Sequence, residues 1–246
     1  MCTLVLAWQV FADVPVAVAA NRDEATDRPA QPPTVWGTNP AILAPRDESA
    51  GGTWFGYNEH GVLAAITNRW LDDGPPAERS RGLLVKDALD TETAEKAART
   101  VERAVDRTSY DGFNLVVADD RAALLLEWDG SLSVRTLDPG VHVVVNVGAD
   151  GRYQIPAFRA TSGREQAENA NKLQTALQPT PGESGDEWLD RAASVIADHE
   201  YGVCVHGDGF GTRSSSLVQL GDGGRTYWYA GGPPCETEYQ RVEGQV

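Results

Sequence analysis

Apolar residues in this chain fall into short runs cut by Gly, Pro, Asn and Asp, and only a few stretches carry helical spacing. The run from Cys2 to Gln9 is dense in Leu4, Val5, Leu6, Ala7 and Trp8, and a second run, Val16 to Ala20, ends in the tetrad Asn21-Arg22-Asp23-Glu24. Together they read as a hairpin with Phe11-Ala12-Asp13-Val14 near its turn. Antiparallel pairing sets the start of one strand against the end of the other, so Cys2 is expected to face Asn21 to Glu24.

From Ala25 to Pro40 four prolines, Pro29, Pro32, Pro33 and Pro40, exclude a helix or a central strand. The stretch reads as a surface loop, either an ordered crossing or a lid. Strands are expected at Ala41 to Pro45, Thr53 to Tyr57 and Val62 to Asn68, the last two joined by the turn Asn58-Glu59-His60-Gly61. Helices follow at Arg81 to Leu89 and Thr91 to Arg107. In the second, Ala94, Ala97, Ala98, Val101, Ala104 and Val105 recur at helical spacing behind an N-cap at Asp90 or Thr91.

Four more strands are expected at Phe113 to Ala118, Ala122 to Trp128, Ser131 to Leu137 and Val141 to Val147. Leu124-Leu125-Leu126 and Val143-Val144-Val145 do not alternate, as befits strands covered on both faces. Helices at Arg164 to Gln178 and Asp186 to His199 are split by Pro179-Thr180-Pro181-Gly182. Strands at Ser215 to Leu220 and Thr226 to Ala230, joined by Gly221-Asp222-Gly223-Gly224, close the chain. This order suits an α+β protein, a four-layer αββα sandwich of two antiparallel sheets face to face with helices outside. The Pro/Gly-rich pieces, Arg28 to Pro40, Asp72 to Pro76 and Pro179 to Gly185, are loop-sized, so the 246 residues are expected to form a single domain.

Composition narrows the partners. The net charge is -15, from 36 acidic and 21 basic residues, and only three of the latter are lysine. Such a surface repels nucleic acid and anionic membranes, and its lysine-poor, acid-rich make-up suits a salt-loaded cytoplasm, a halophilic habit. Three cysteines make no disulfide framework and fit a reducing compartment. The N-terminal run has no Lys or Arg before Arg22 and is a poor signal peptide, and no stretch is long enough to span a bilayer, so a cytoplasmic protein without membrane insertion is expected.

The candidate chemistry starts at Cys2. Methionine is generally trimmed before so small a side chain, which leaves one residue carrying both a thiol and a free α-amine able to take its proton. Asn68 and Asn146, each at the end of an expected strand, are candidate oxyanion donors or, alternatively, caps of their own turns. Arg213, in Gly211-Thr212-Arg213-Ser214-Ser215-Ser216, either steadies the site or binds a substrate carboxylate, or else pairs with a surface acid. Cys204-Val205-His206-Gly207-Asp208 gathers metal-ligand types, yet no second pair stands at zinc-like spacing. No metal or cofactor is therefore expected, and Cys204 and Cys235 read as small core residues.

Met1-Cys2-Thr3, Asn21-Arg22-Asp23-Glu24, Gly51-Gly52-Thr53-Trp54, Thr67-Asn68-Arg69, Ser80-Arg81-Gly82, Gly112-Phe113-Asn114-Leu115, Gly211-Thr212-Arg213-Ser214-Ser215 and Pro233-Pro234-Cys235 together resemble the NRDE family, also called the transport and Golgi organisation protein 2 family. More distantly, the N-terminal Cys-Thr with an Arg/Asn/Asp cluster is similar to the choloylglycine hydrolase and penicillin acylase group of N-terminal-nucleophile hydrolases. The first resemblance implies an αββα sandwich and the second implies amide-bond chemistry at Cys2. It also implies that Arg22 favours the thiolate and that Asp23 orients the α-amine. That group reads arginine-asparagine-x-aspartate where this chain reads Asn21-Arg22-Asp23, which leaves the two roles open to exchange. Alternation sets Arg22 on the other strand face, so the three converge only if the strand ends or bulges; otherwise the tetrad closes the hairpin with salt bridges. The expected function is an N-terminal-cysteine hydrolase or acyltransferase acting on a small non-peptide amide. The family resemblance also implies a rival, a non-catalytic carrier of apolar cargo such as acyl-CoA-type lipid or haem.

Overall fold

The computed structural model describes residues 2–74, 76–221 and 223–246. Met1, Pro75 of the Asp72 to Pro76 loop and Asp222 of the Gly221 to Gly224 turn lie outside the described residues. The strands are β1 (Thr3–Trp8), β2 (Val16–Ala25), β3 (Ala30–Trp36), β4 (Ile42–Asp47), β5 (Phe55–Asn58), β6 (Leu63–Asn68), β7 (Phe113–Ala118), β8 (Ala123–Trp128), β9 (Leu132–Thr136), β10 (Gly140–Val145), β11 (Gly148–Ala149), β12 (Arg152–Tyr153), β13 (Phe210–Gly221), β14 (Gly224–Ala230) and β15 (Gln240–Arg241). The α-helices are α1 (Arg81–Leu89), α2 (Ala94–Val105), α3 (Ala160–Ala176) and α4 (Gly185–Ala197). The chain divides into two compact units, Met1–Arg28 with Pro139–Val242 and Pro29–Asp138 with Glu243–Val246.

The first unit holds an antiparallel eight-stranded sheet in the order β12-β11-β10-β1-β2-β13-β14-β15. β1 and β2 occupy its middle and are buried almost throughout, which explains their unbroken apolar runs. Helix α3 packs on β10 and helix α4 on β2 and β13. α4 starts at a capping box in which Ser184 and Glu187 cap each other, so its N-terminus falls at Gly185 rather than Asp186. At that start Gly185 lies against Val14, where an added Cβ would come within 2.9 Å of Val14 Cγ2.

The second unit holds an antiparallel seven-stranded sheet, order β3-β4-β5-β6-β7-β8-β9, with α1 and α2 packed on β5, β6, β7 and β8. Its core joins Leu84, Val85, Ala97 and Val101 of the helices to Ala64, Leu115 and Leu126 of the sheet. Several sequence motifs interlock here. Thr53 N–H donates to Gly82 O (3.0 Å), and a Cβ on Gly52 would fall 2.2 Å from the Gly82 carbonyl carbon, so this crossing needs glycine. Arg69 Nη1 donates to Asn114 Oδ1 (2.8 Å) and Glu127 Oε1 (2.6 Å), and Asn114 Nδ2 donates to Thr67 Oγ1 (3.1 Å).

Several expectations are corrected by the structure. The proline-rich stretch after Ala25 is not all loop, because β3 forms the edge of its sheet. Pro32 and Pro33 fall where its register with β4 shifts, between Gln31 and Thr34, so their missing N–H groups cost no ladder bond. The N-cap of α2 is Thr93, whose side chain accepts from Lys96 N–H, and not Asp90 or Thr91. Helix α3 begins at Ala160, a turn before Arg164, and β13 begins at Phe210, five residues before Ser215. Among the described residues, no helix is long and apolar enough to cross a membrane.

Candidate active site

The hairpin register pairs Thr3 with Asn21, which puts Cys2 at the level of Arg22 as expected. Cys2 is half-buried, and its thiol lies 3.6 Å from the Asp23 carbonyl oxygen, to which it donates. Burial raises the Cys2 thiol above its ordinary pKa; the Asp23 carboxylate adds to the rise and the Arg22 charge opposes it. The sulfur thus carries its proton at neutral pH and needs a base to become a nucleophile.

The nitrogen of Cys2 is held by a chain of hydrogen bonds that starts from a group of unambiguous polarity. The backbone N–H of Val147 can only donate, and it donates to Gln166 Oε1 (3.2 Å). Gln166 therefore presents Nε2 to Asn146 Oδ1 (3.0 Å), and the same Asn146 oxygen accepts from the Cys2 N–H (3.1 Å). Asn146 follows directly on β10, beside β1 in the sheet, and is buried together with Gln166 of α3. Its amide is thus turned with oxygen toward the Cys2 nitrogen. The sequence expectation made Asn146 an oxyanion donor or a turn cap, whereas the structure engages its acceptor with the Cys2 nitrogen.

A second chain of bonds holds Asp23. Val205 N–H donates to Thr212 Oγ1 (2.8 Å), and the Thr212 hydroxyl donates to Asp23 Oδ1 (2.6 Å). Thr212 is paired with Asp23 in the sheet. Asp23 is buried, and burial pushes its carboxyl above the usual range despite the Thr212 hydrogen bond and the nearby Arg22 charge.

Alternation along β2 is kept. Asn21 donates both amide hydrogens away from the sheet, to Ile196 O and Val203 O (each 2.9 Å), and among the described residues its buried Oδ1 has no hydrogen-bond partner. Arg22, on the other face, lies 3.7 Å from Glu24 Oε2, two residues on. The bulge anticipated at the tetrad is present but sits on the partner strand: β13 shifts register between Thr212 and Ser214, leaving Arg213 as the extra residue, exposed. Five of the six candidates, Cys2, Arg22, Asp23, Asn146 and Arg213, therefore belong to the first unit, the first four with buried or half-buried side chains. Asn68 is the last residue of β6 in the second unit, paired with Phe113 and exposed.

Sequence reasoning missed Gln166 and Thr212 as the residues that hold Asn146 and Asp23. Thr212 stands within a motif singled out for Arg213; Gln166 carried no signal beyond being a polar residue on the inner side of a helix. Cys235 was expected in the core and is exposed, its sulfur 3.4 Å from Cys204 Sγ and 3.1 Å from His206 Nε2. The turn Pro233 to Thr237, closed by bonds from Glu236 N–H and Thr237 N–H to Pro233 O (3.0 and 2.9 Å), brings it there.

A model of the family described as Transport and Golgi organisation 2 matches residues 1–229. The Transport and Golgi organization protein 2 homolog of Homo sapiens is 28% identical over 226 residues, covering 82% of this chain and 80% of the relative. That of Bos taurus is 29% identical over the same length and shares. Among solved structures, penicillin V acylase from Agrobacterium tumefaciens superposes with a TM-score of 0.60 at 16% identity, covering 94% of this chain and 83% of its own. The Caenorhabditis elegans ortholog of N-acylethanolamine-hydrolyzing acid amidase gives 0.57 at 12% identity, covering 88% and 92%. A variant of conjugated bile acid hydrolase from Clostridium perfringens gives 0.52 at 11% identity, covering 100% and 97%. These likenesses bear on fold, and the α+β sandwich class expected from the pattern of elements holds.

Proposed function

This chain belongs to the Transport and Golgi organisation 2 family, and we propose that it is an N-terminal-cysteine amidohydrolase acting on a small non-peptide amide. The observation that carries this reading is the hold on Cys2: its nitrogen on Asn146 Oδ1 at 3.1 Å, its sulfur at the Asp23 carbonyl at 3.6 Å. The solved structures of like fold, which are named as an acylase, an acid amidase and a hydrolase of conjugated bile acids, support the same chemistry.

Removal of Met1 turns the Cys2 nitrogen into an α-amine whose pKa lies near 8, a base of suitable strength. Asn146 Oδ1 accepts one of its hydrogens and turns its lone pair toward the sulfur. The amine takes the thiol proton, the thiolate attacks the amide carbonyl carbon, and a tetrahedral oxyanion forms. Collapse breaks the C–N bond, with the α-ammonium returning the proton to the departing amine. Water, deprotonated by the same amine, then cleaves the thioester and restores the thiol. Arg22 offsets the negative charge that develops on sulfur, and Asp23, held by Thr212, fixes the strand end beneath it. With its oxygen engaged, Asn146 has only its Nδ2 hydrogens to offer the oxyanion, and Arg213 serves the substrate in this scheme.

The test is turnover of penicillin V, an N-acylethanolamine and a glycine-conjugated bile acid, followed by mass spectrometry of the released acid and amine. Hydrolysis of at least one is expected, with a loss on the order of 10⁴-fold in Cys2→Ala. Turnover that persists in Cys2→Ala overturns the reading.

The rival, a carrier of apolar cargo such as acyl-CoA-type lipid or haem, draws on the name of the relatives and on a half-open cavity of about 570 Å³ in the first unit. Leu189, Leu217 and Trp228 line it alongside Asp190, Tyr239 and Arg241, while Cys2, Arg22, Asp23 and Asn146 do not. Saturable lipid or haem binding undiminished in Cys2→Ala, together with no turnover in the wild type, favours the carrier.

A further inference from the structure

Four side chains from three separate places meet in the first unit. His199 opens a 3₁₀ turn, His199–Tyr201, just after α4. Cys204 and His206 flank Val205 in the segment that leads to β13, and Cys235 arrives from the turn after β14. One ligand atom from each lies within 4.8 Å of every other.

We propose that His199, Cys204, His206 and Cys235 form a closed four-coordinate site for Zn²⁺. The edges among Cys204, His206 and Cys235 fit a tetrahedron. Bonds of about 2.3 Å to sulfur and about 2.0–2.1 Å to nitrogen put the two sulfurs about 3.8 Å apart and each sulfur about 3.5 Å from a nitrogen. The measured edges are 3.4 Å between Cys204 Sγ and Cys235 Sγ, 3.1 Å from Cys235 Sγ to His206 Nε2, and 3.8 Å from Cys204 Sγ to His206 Nε2. The His199 and His206 rings meet edge to face with centroids 5.1 Å apart, and a ring nitrogen of each lies within 4.8 Å of both sulfurs.

A second observation concerns the far side of the His206 ring. Its Nε2 faces the sulfurs while its Nδ1 lies 4.0 Å from Glu236 Oε1. Metal-bound imidazoles usually turn the free ring N–H to a carboxylate, which sets the tautomer and strengthens the ligand. Two thiolates and two imidazoles select zinc over magnesium or calcium, and zinc binding displaces one proton from each thiol. With four protein ligands no coordination position remains for water, so the ion is structural rather than hydrolytic. Cys204 is buried while the other three are exposed, which leaves the ion a path in from solvent.

What such an ion would steady is specific. Val203 O accepts from Asn21, Val205 N–H donates to Thr212, and Val205 O accepts from Thr212 N–H (2.8 Å). The segment clamped by Cys204 and His206 is therefore the one that braces the end of β2. The proposal does not depend on amide hydrolysis at Cys2, since none of its four ligands belongs to that site.

Purification under reducing conditions followed by elemental analysis is expected to give one zinc per chain. Apoprotein titrated with Co²⁺ is expected to show thiolate-to-cobalt charge transfer in the near ultraviolet and the intense visible bands of tetrahedral cobalt, saturating at one equivalent. Cys235→Ser and His206→Gln lose both signals, Cys2→Ser keeps them, and Glu236→Gln weakens Zn²⁺ binding about tenfold. Wild-type cobalt spectra without charge transfer, or an intact mass showing Cys204 and Cys235 joined as a disulfide under the same conditions, overturn the proposal.

Discussion

Gln166 offers the sharpest probe of how the Cys2 nitrogen is held, because its two ends do different work. Its oxygen satisfies a buried backbone N–H at Val147 and its nitrogen donates to Asn146 Oδ1. In Gln166→Leu both bonds go. The orphaned N–H costs about 1–3 kcal/mol and the lost amide pair about 1 kcal/mol, so a loss of roughly 2–4 kcal/mol is expected. At this chain length that is a fall in Tm of roughly 5–15 °C, the same at every pH. Gln166→Glu separates the two ends. A buried carboxyl has its pKa raised, and when protonated it accepts from Val147 and donates to Asn146 much as glutamine does; ionised, it sets oxygen against oxygen. The folded-state pKa lies above the unfolded one, so stability is whole below the unfolded value near 4.3 and drains away as pH rises through the folded value. Differential scanning fluorimetry between pH 4 and pH 8 should therefore show Gln166→Glu close to wild type in acid and far below it in base. A gap that stays constant with pH, or one that matches Gln166→Leu throughout, would refute the assigned direction of the Asn146 amide.

Three further outcomes are expected. Asp23 has its pKa raised by burial, so its ionised form opposes folding and its contribution to stability declines as pH rises through the folded value; Asp23→Asn should melt at or above the wild-type temperature at pH 8 and, with the carboxylate gone that helps raise the Cys2 thiol, should label at Cys2 at least as fast as wild type with iodoacetamide. Gly52→Ala should cost about 3 kcal/mol by chemical denaturation, because its Cβ falls 2.2 Å from the Gly82 backbone, whereas Gly223→Ala, with open space around it, should stay within about 0.5 kcal/mol. With a net charge of -15, the melting temperature should rise between low and molar salt, and a flat response removes the halophilic reading.

Local pattern carried the fold because the central strands of both sheets are covered and read as unbroken apolar runs. β1 is of this kind, and β2, β7 and β10 carry such runs at Val16 to Ala20, Leu115 to Ala118 and Val143 to Val145. The pattern was weaker wherever pairing alone sustains an element. β3 is an exposed, proline-bearing edge, and β11, β12 and β15 have two residues each, too few to show a period. The first half of β13 was missed because Gly211, Arg213 and the serines look like loop. Gly211 is glycine because a Cβ there would meet Val205 O at 2.7 Å, a constraint set by a segment that only the folded sheet brings near. The site divides the same way. The hairpin made the meeting of Cys2 with the tetrad legible, since register follows from the turn. Gln166 and the ring of His199, Cys204, His206 and Cys235 were not, because their partners come from a helix end, a loop and a distant turn whose closeness has no trace in spacing along the chain.

In the proposed mechanism Cys2, freed of Met1, is the reactive group. Intact mass followed by peptide mapping after a brief exposure to limiting iodoacetamide tests it most directly. The expected product is a chain lacking Met1 that carries a single adduct, on Cys2, ahead of Cys204 and Cys235, with the adduct absent in Cys2→Ala. A retained Met1, or label that settles on Cys235 while Cys2 stays unmodified, contradicts it.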